Sequence, residues 1–322
     1  MLTPPAHTHT LGEDLCIALD AAACAGQVVL DGYQRLEGPS GSHATGCCGP
    51  SGDRSMTFEA KGVGDLVSEV DREADRQATR AIRRHSGAPI LSEELQPEVN
   101  RNCDDLWIVD PLDGSGAYLM RVSRELPSVL VARRRRGETV CGVCLFPLTG
   151  EWFYAVRGQG AWKNGQPLRI AGSAPSLSEV WVETNRYGDA RHETPRFQRL
   201  TEKLRSPRGA GLVTCNTAYS GVAVRIAEGR SSLAAAIHDN CPQRVKQAAW
   251  DIAAPQLILE EAGGVFWNFA GKPADPFGGE PLLLARSQQM AEEILALDNV
   301  CTLPPGITPA ARETTARRLA AR

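Results

Sequence analysis

Across residues 11–36 the apolar positions Leu15, Ala18, Leu19, Ala22, Val29 and Leu30 recur at a roughly helical period, which predicts an amphipathic helix. A second helix is written more sharply. Val70, Ala74, Ala78 and Ile82 recur at spacing four, and Ser68 followed by Asp71 has the form of a capping box. Its acids come early (Glu69, Asp71, Glu73) and its bases late (Arg80, Arg83, Arg84, His85), as the helix dipole favours, and Gly87 is the expected stop. Residues 90–92 form a short apolar run ending in Glu93-Glu94. Residues 107–110 form another, which Pro111 is expected to terminate. Runs at 127–133, 139–146 and 151–156, separated by Arg/Gly and Pro/Gly turns, predict a three-stranded antiparallel meander. Beyond residue 172 the pattern alternates: a helix at 220–228, a strand at 233–237, then a helix opening at Trp250 and capped by Gly263-Gly264, with Pro255 expected in its first turn. Periodicity alone therefore gives a mixed α and β protein.

Composition narrows the class. The 322 residues suffice for one large or two small domains with a sizeable core. Residues 11–172 and 173–300 are the expected parts, divided near 172–178, with loose tails at 1–10 and 303–322 and a Gly/Ser/Pro-rich loop at 38–55. Net charge is −3, which gives no general attraction to nucleic acid or to an anionic membrane. No apolar run is expected to reach the roughly 20 residues of a membrane span. Glu13, Asp14 and Asp20 interrupt the first apolar stretch with no basic segment before it, so no signal peptide is expected. Ten cysteines are scattered as befits reduced thiols in a cytoplasmic protein, and Cys141 and Cys144, three apart on a strand, face opposite sides. The arginine run 133–136 reads as a solvated hairpin tip, without the interleaved aromatics of a nucleic-acid patch. Gly158-Gln-Gly160 lacks the third glycine of a dinucleotide fingerprint.

Candidate chemistry concentrates in Trp107-Ile-Val-Asp110-Pro-Leu-Asp113-Gly-Ser115-Gly-Ala-Tyr118. Asp110 and Asp113 offer hard oxygens suited to Mg²⁺, and Gly114, Ser115 and Gly116 present backbone N–H groups where a helix begins and an anion can bind. The same residues also serve an ordinary Asx turn and helix cap. Asp71 and Asp251 stand at helix starts, where a carboxylate is a common cap, and Lys61 fits a solvated surface.

Asp110-Pro-Leu-Asp-Gly-Ser115 resembles the signature of the inositol monophosphatase family, and Trp250-Asp-Ile-Ala-Ala254 followed by Glu260-Glu-Ala-Gly-Gly264 resembles that family's second signature. The resemblance runs from about residue 61 to 285. It implies an alternating helix–sheet–helix–sheet–helix sandwich, a homodimer, and Mg²⁺-dependent, lithium-sensitive hydrolysis of a small phosphorylated metabolite using two or three ions. Glu93, Asp110 and the Leu112 carbonyl would hold one Mg²⁺, and Asp110, Asp113 and Asp251 a second, roughly 3.5–4 Å away. Asp71 and Ser115 would orient the attacking water. The N–H groups around Gly114 and Ser115 would hold phosphate, with Lys61 near the metals. The chain departs from the family at Ser92 (usually Gly), at Ser115 (usually Thr, hydroxyl kept), and at Ser232 (usually Asp). Counting back from Trp250 without gaps, Arg244 stands where inositol phosphatases offer a carboxylate to the ring hydroxyls. Arg244 and Lys246 suit a second anionic group. The leading expectation is an inositol-phosphate or related sugar-phosphate monoesterase. The alternatives are a bisphosphate nucleotidase or fructose-1,6-bisphosphatase-like enzyme, and, from another class, a non-catalytic metal or phosphate binding module.

Overall fold

A computed structural model describes residues 2–5, 11–37, 58–62, 65–95, 103–120, 126–172, 175–185, 195–205, 211–215, 218–229, 233–238 and 249–301. The first half holds helix α1 (Glu13–Glu37), hairpin strands β1 (Phe58–Gly62) and β2 (Asp65–Ser68), α2 (Glu69–Arg83), β3 (Ile90–Ser92), β4 (Leu106–Asp113) and α3 (Ser115–Met120). The meander follows as β5 (Ser128–Arg135), β6 (Glu138–Phe146), β7 (Glu151–Val156), β8 (Gly160–Lys163) and β9 (Gln166–Leu168). The second half alternates β10 (Trp181–Asn185), α4 (Pro195–Leu204), β11 (Gly211–Cys215), α5 (Tyr219–Ala227), β12 (Leu233–His238), α6 (Ala249–Glu261), β13 (Val265–Asn268), β14 (Leu282–Ala285) and α7 (Gln288–Cys301).

Strands β3 to β9 form one seven-stranded sheet in chain order, parallel only at β3–β4. The other main sheet has the order β11-β10-β12-β14-β13, with β10 parallel to both neighbours and β14 antiparallel to its own. Helices α1 and α2 cover one face of the first sheet, α5 and α6 lie between the two sheets, and α4 and α7 pack together beyond the second. The result is the expected sandwich of helix, sheet, helix, sheet and helix.

Alternation along β4 shows how the layers are kept apart. Trp107 and Val109 face the α1/α2 core, whereas Leu106 and Ile108 face the α5/α6 core. Asp110 continues the second set. Cys141 and Cys144 also divide between the two cores, as their spacing predicts. Helix α6 seats very close to the first sheet because the strands opposite it are lined by small residues. Ala132, Gly142, Ala155 and Ala161 align across β5–β8, and a Cβ at Gly142 would lie 2.9 Å from the Ala254 Cα.

Several expectations need correction. Strand β4 passes through Pro111 to Asp113, because the register shifts between Asp110 and Asp113 and the proline sits in that irregularity, where no ladder N–H is required. Pro255 lies beyond the first turn of α6, since the helix starts at Ala249. The meander extends by two strands, β8 and β9. The arginine run is not a solvated tip throughout. Arg133 is buried, pairs with Asp105 and lies 5.2 Å from the Trp107 ring, and only Arg136-Gly137, both with positive φ, form the two-residue turn. Leu2, expected in a loose tail, donates its N–H to Gln27 Oε1 at 2.9 Å and packs on the α1/α2 core. Helix α1 is long and apolar enough by composition to cross a membrane, against the sequence reading, but most of its apolar stretch is buried against α2, β5 and β6. The 38–55 loop and the 303–322 tail lie outside the described residues.

Candidate active site

The site forms where β3 and β4 end side by side. Glu93 follows β3 directly and donates its N–H to the Val109 carbonyl at 3.2 Å, which ties it to β4. Asp110 is buried on β4, and its Oδ1 accepts the Leu112 N–H at 3.0 Å, an Asx turn across the proline. Gly114 then takes φ +87°, which a residue with a side chain adopts only at a cost, and turns the chain into α3.

Oxygen atoms of Asp110, Asp113 and Asp251 lie within 4.8 Å of one another. Asp251 arrives from the first turn of α6, so the middle helix layer closes the site from above. Asp113 is buried, and its Oδ2 accepts hydroxyl hydrogen bonds from Ser220 of α5 at 2.5 Å and Ser128 of β5 at 3.2 Å. Burial pushes the Asp110 carboxyl well above the usual carboxylate range, and the nearby charges of Glu93, Asp113 and Asp251 push it further. Asp110 Oδ2 is buried and has no hydrogen-bond partner among the described residues. A buried, unpartnered carboxylate oxygen facing other acids is costly unless a cation completes it, and an all-oxygen donor set fits Mg²⁺ or Ca²⁺. The residues present therefore fit a hard divalent ion.

From the opposite layer comes α2. Ser68 caps it: its Oγ accepts the Val70 and Asp71 N–H groups, while Asp71 Oδ2 accepts the Ser68 N–H at 2.9 Å. Asp71 is buried, and its other oxygen, Oδ1, lies 2.5 Å from Ser115 Oγ. That hydroxyl also lies 2.8 Å from the Leu112 carbonyl. Asp71 is thus the third-residue partner of the Ser68 capping box through one oxygen and a neighbour of Ser115 through the other.

The structure brings together Glu93, Asp110, Leu112, Asp113, Gly114, Ser115, Asp71 and Asp251. Lys61 lies on β1, but its side chain is outside the described residues, and so is the whole of Arg244. Ser128, Ser220 and Asp75 were missed. Asp75 does carry a sequence signal, since it stands one turn after Asp71 on the same helix face.

The chain matches the inositol monophosphatase family across residues 11–300. It belongs to that family. A Thermotoga maritima fructose-1,6-bisphosphatase/inositol-1-monophosphatase is 34% identical over 220 residues, covering 67% of this chain and 76% of the relative. A histidinol-phosphatase of Chlorobaculum parvum is 28% identical, covering 89% of this chain and 97% of the relative. Among solved structures, a Thermotoga maritima IMPase superposes with a TM-score of 0.66 at 26% identity, over 89% of this chain and 96% of that one. The protein is accordingly a phosphomonoester hydrolase of the inositol monophosphatase family.

Proposed function

We propose that this member of the family releases phosphate from an inositol phosphate or a related sugar phosphate, with Mg²⁺ as its cofactor. The observation that carries the reading is the meeting of Asp110, Asp113 and Asp251 from β4 and α6 beside the Asp71–Ser115 pair from α2 and α3. Glu93, Asp110 and the Leu112 carbonyl would hold one ion, and Asp110, Asp113 and Asp251 another. When bound, these ions would acidify a water and neutralise charge on the phosphate and leaving oxygen.

The remaining work falls to the chain. Ser115 Oγ donates to Asp71 Oδ1, so a lone pair of the same hydroxyl is available to accept a hydrogen bond from the attacking water. Asp71, buried and fixed by the Ser68 cap, keeps the hydroxyl turned that way. The water's proton is drawn toward this pair as its oxygen attacks phosphorus opposite the leaving alkoxide. Gly114 takes a positive φ at this turn, and the N–H groups around Gly114 and Ser115 would hold the phosphate. Lys61 and Arg244 would add positive charge near the substrate.

A sugar bisphosphate is the second reading. It is favoured by the likeness to a protein named for both bisphosphatase and monophosphatase activity, and by Arg244 and Lys246 as anion-binding side chains. A phosphate-release panel decides between them: inositol monophosphates, sugar phosphates, fructose 1,6-bisphosphate, histidinol phosphate and a 3′,5′-bisphosphate nucleotide, each with Mg²⁺ and with or without lithium. Turnover of sugar or inositol monophosphates that lithium suppresses is expected. Absence of Mg²⁺-dependent release from every compound would refute the proposal.

A further inference from the structure

Asp75 is fully buried on α2, where a carboxylate needs strong compensation. Its Oδ2 accepts the backbone N–H of Glu94 at 3.1 Å and of Leu95 at 3.0 Å. These are the two residues immediately after Glu93. Glu93 itself is only partly buried and Leu95 is largely exposed, at 41%, so the turn lies toward the surface. On the sheet side the Glu93 N–H is held by the Val109 carbonyl. Glu93 therefore sits between two anchors: the edge of β4 and a buried carboxylate of α2.

Spacing adds meaning to this contact. Asp71 and Asp75 lie four apart on one face of one helix. The first meets Ser115 and the second meets the turn of Glu93. A single rigid element thus registers the hydroxyl pair against the turn that carries an acid of the candidate metal set. A charge-assisted double hydrogen bond is a stiff restraint, and groups that orient metal ligands carry a large part of a site's affinity.

We propose that Asp75 is a positioning residue that holds Glu93 toward Asp110 and so sets the affinity of the site for its divalent cation. The inference rests on the reading of these acids as a Mg²⁺ site.

Calorimetric titration of the full chain with Mg²⁺, alongside thermal unfolding without metal, tests it. Asp75→Ala should weaken Mg²⁺ binding about 10- to 100-fold. Asp75→Asn keeps an uncharged acceptor oxygen and should recover part of that loss. In a chain already carrying Glu93→Ala, Asp75→Ala should add little, because the residue acts through Glu93. Wild-type affinity in Asp75→Ala overturns the inference, as does an equal loss whether or not Glu93 is present. Should Asp75→Ala not fold, Asp75→Asn carries the test: weaker Mg²⁺ binding at an unchanged metal-free melting temperature supports the role, and wild-type binding overturns it. A wild-type chain that neither binds Mg²⁺ nor releases phosphate sinks the Mg²⁺ reading and this inference together. One that does both while Asp75→Ala binds normally sinks this inference alone.

Discussion

Asp71 shows how one residue serves two structural levels. Its Oδ2 closes the cap of α2 and its Oδ1 meets Ser115, so the feature that starts the helix also aims the hydroxyl. Such a residue is legible in sequence as a cap, because capping depends on neighbours three apart, and its second partner lies 44 positions away. Asp110 and Asp113 were legible as candidate hard-oxygen ligands from their own spacing, whereas Glu93 and Asp251 stood out as candidate ligands only through the family resemblance. Ser128 and Ser220 were not legible, since a serine meets an aspartate only once the strand and helix bearing them have packed. Ser115→Ala removes the hydroxyl proposed to link the attacking water to Asp71 and should lower kcat about 10²- to 10⁴-fold, the usual worth of proton-transfer assistance, with Mg²⁺ affinity nearly unchanged by calorimetry. Ser115→Thr keeps the hydroxyl and should stay active. Equal impairment of both variants would show that the oxygen has no part in turnover.

At the scale of elements, the position of Asp251 depends on how closely α6 approaches the sheet. The band of Ala132, Gly142, Ala155 and Ala161 permits that approach, and Gly142 faces the Ala254 backbone with no space for another carbon. Gly142→Ala should displace α6, destabilise the fold by about 1–3 kcal/mol, and weaken Mg²⁺ binding through Asp251. Gly87→Ala is the control. Nothing lies within 4 Å of its added carbon, and it should leave both melting temperature and Mg²⁺ affinity near wild type. If Gly142→Ala matches that control, α6 is not seated by the small-residue band. The elements most legible in sequence were those with strong periodicity, such as α2 and β5 to β7. The end of β4 was misread because a proline ordinarily stops a strand, and only the partner strand reveals that the ladder skips it. Strands β8 and β9 are short, and three or four residues hold too little alternation to announce a strand.

For the whole molecule, the site is a meeting of layers: α2 from one face of the first sheet, α5 and α6 from the other, β3 and β4 from its edge. Gathering four acids there costs stability in the absence of a cation. Because Asp110 is raised in the folded protein, the folded state binds its proton more tightly than the unfolded chain does. Metal-free stability should therefore fall as pH rises from the ordinary carboxylate range through the raised value of Asp110. A divalent ion that binds only the folded state reverses this. At about 100 times its dissociation constant it adds about 2.7 kcal/mol, which for a chain of this size corresponds to a rise of several degrees in melting temperature. The ligands must be deprotonated to bind, so the gain from Mg²⁺ should shrink on acidification. That decline should begin above the usual carboxylate range, since Asp110 holds its proton there. Thermal unfolding across pH 4–8, with Mg²⁺ and with a chelator, measures both curves. They should lie far apart near neutrality and converge toward pH 4. Curves that coincide at pH 7 would mean that the acids of β4 and α6 hold no cation, and the reading of the site would fall with them.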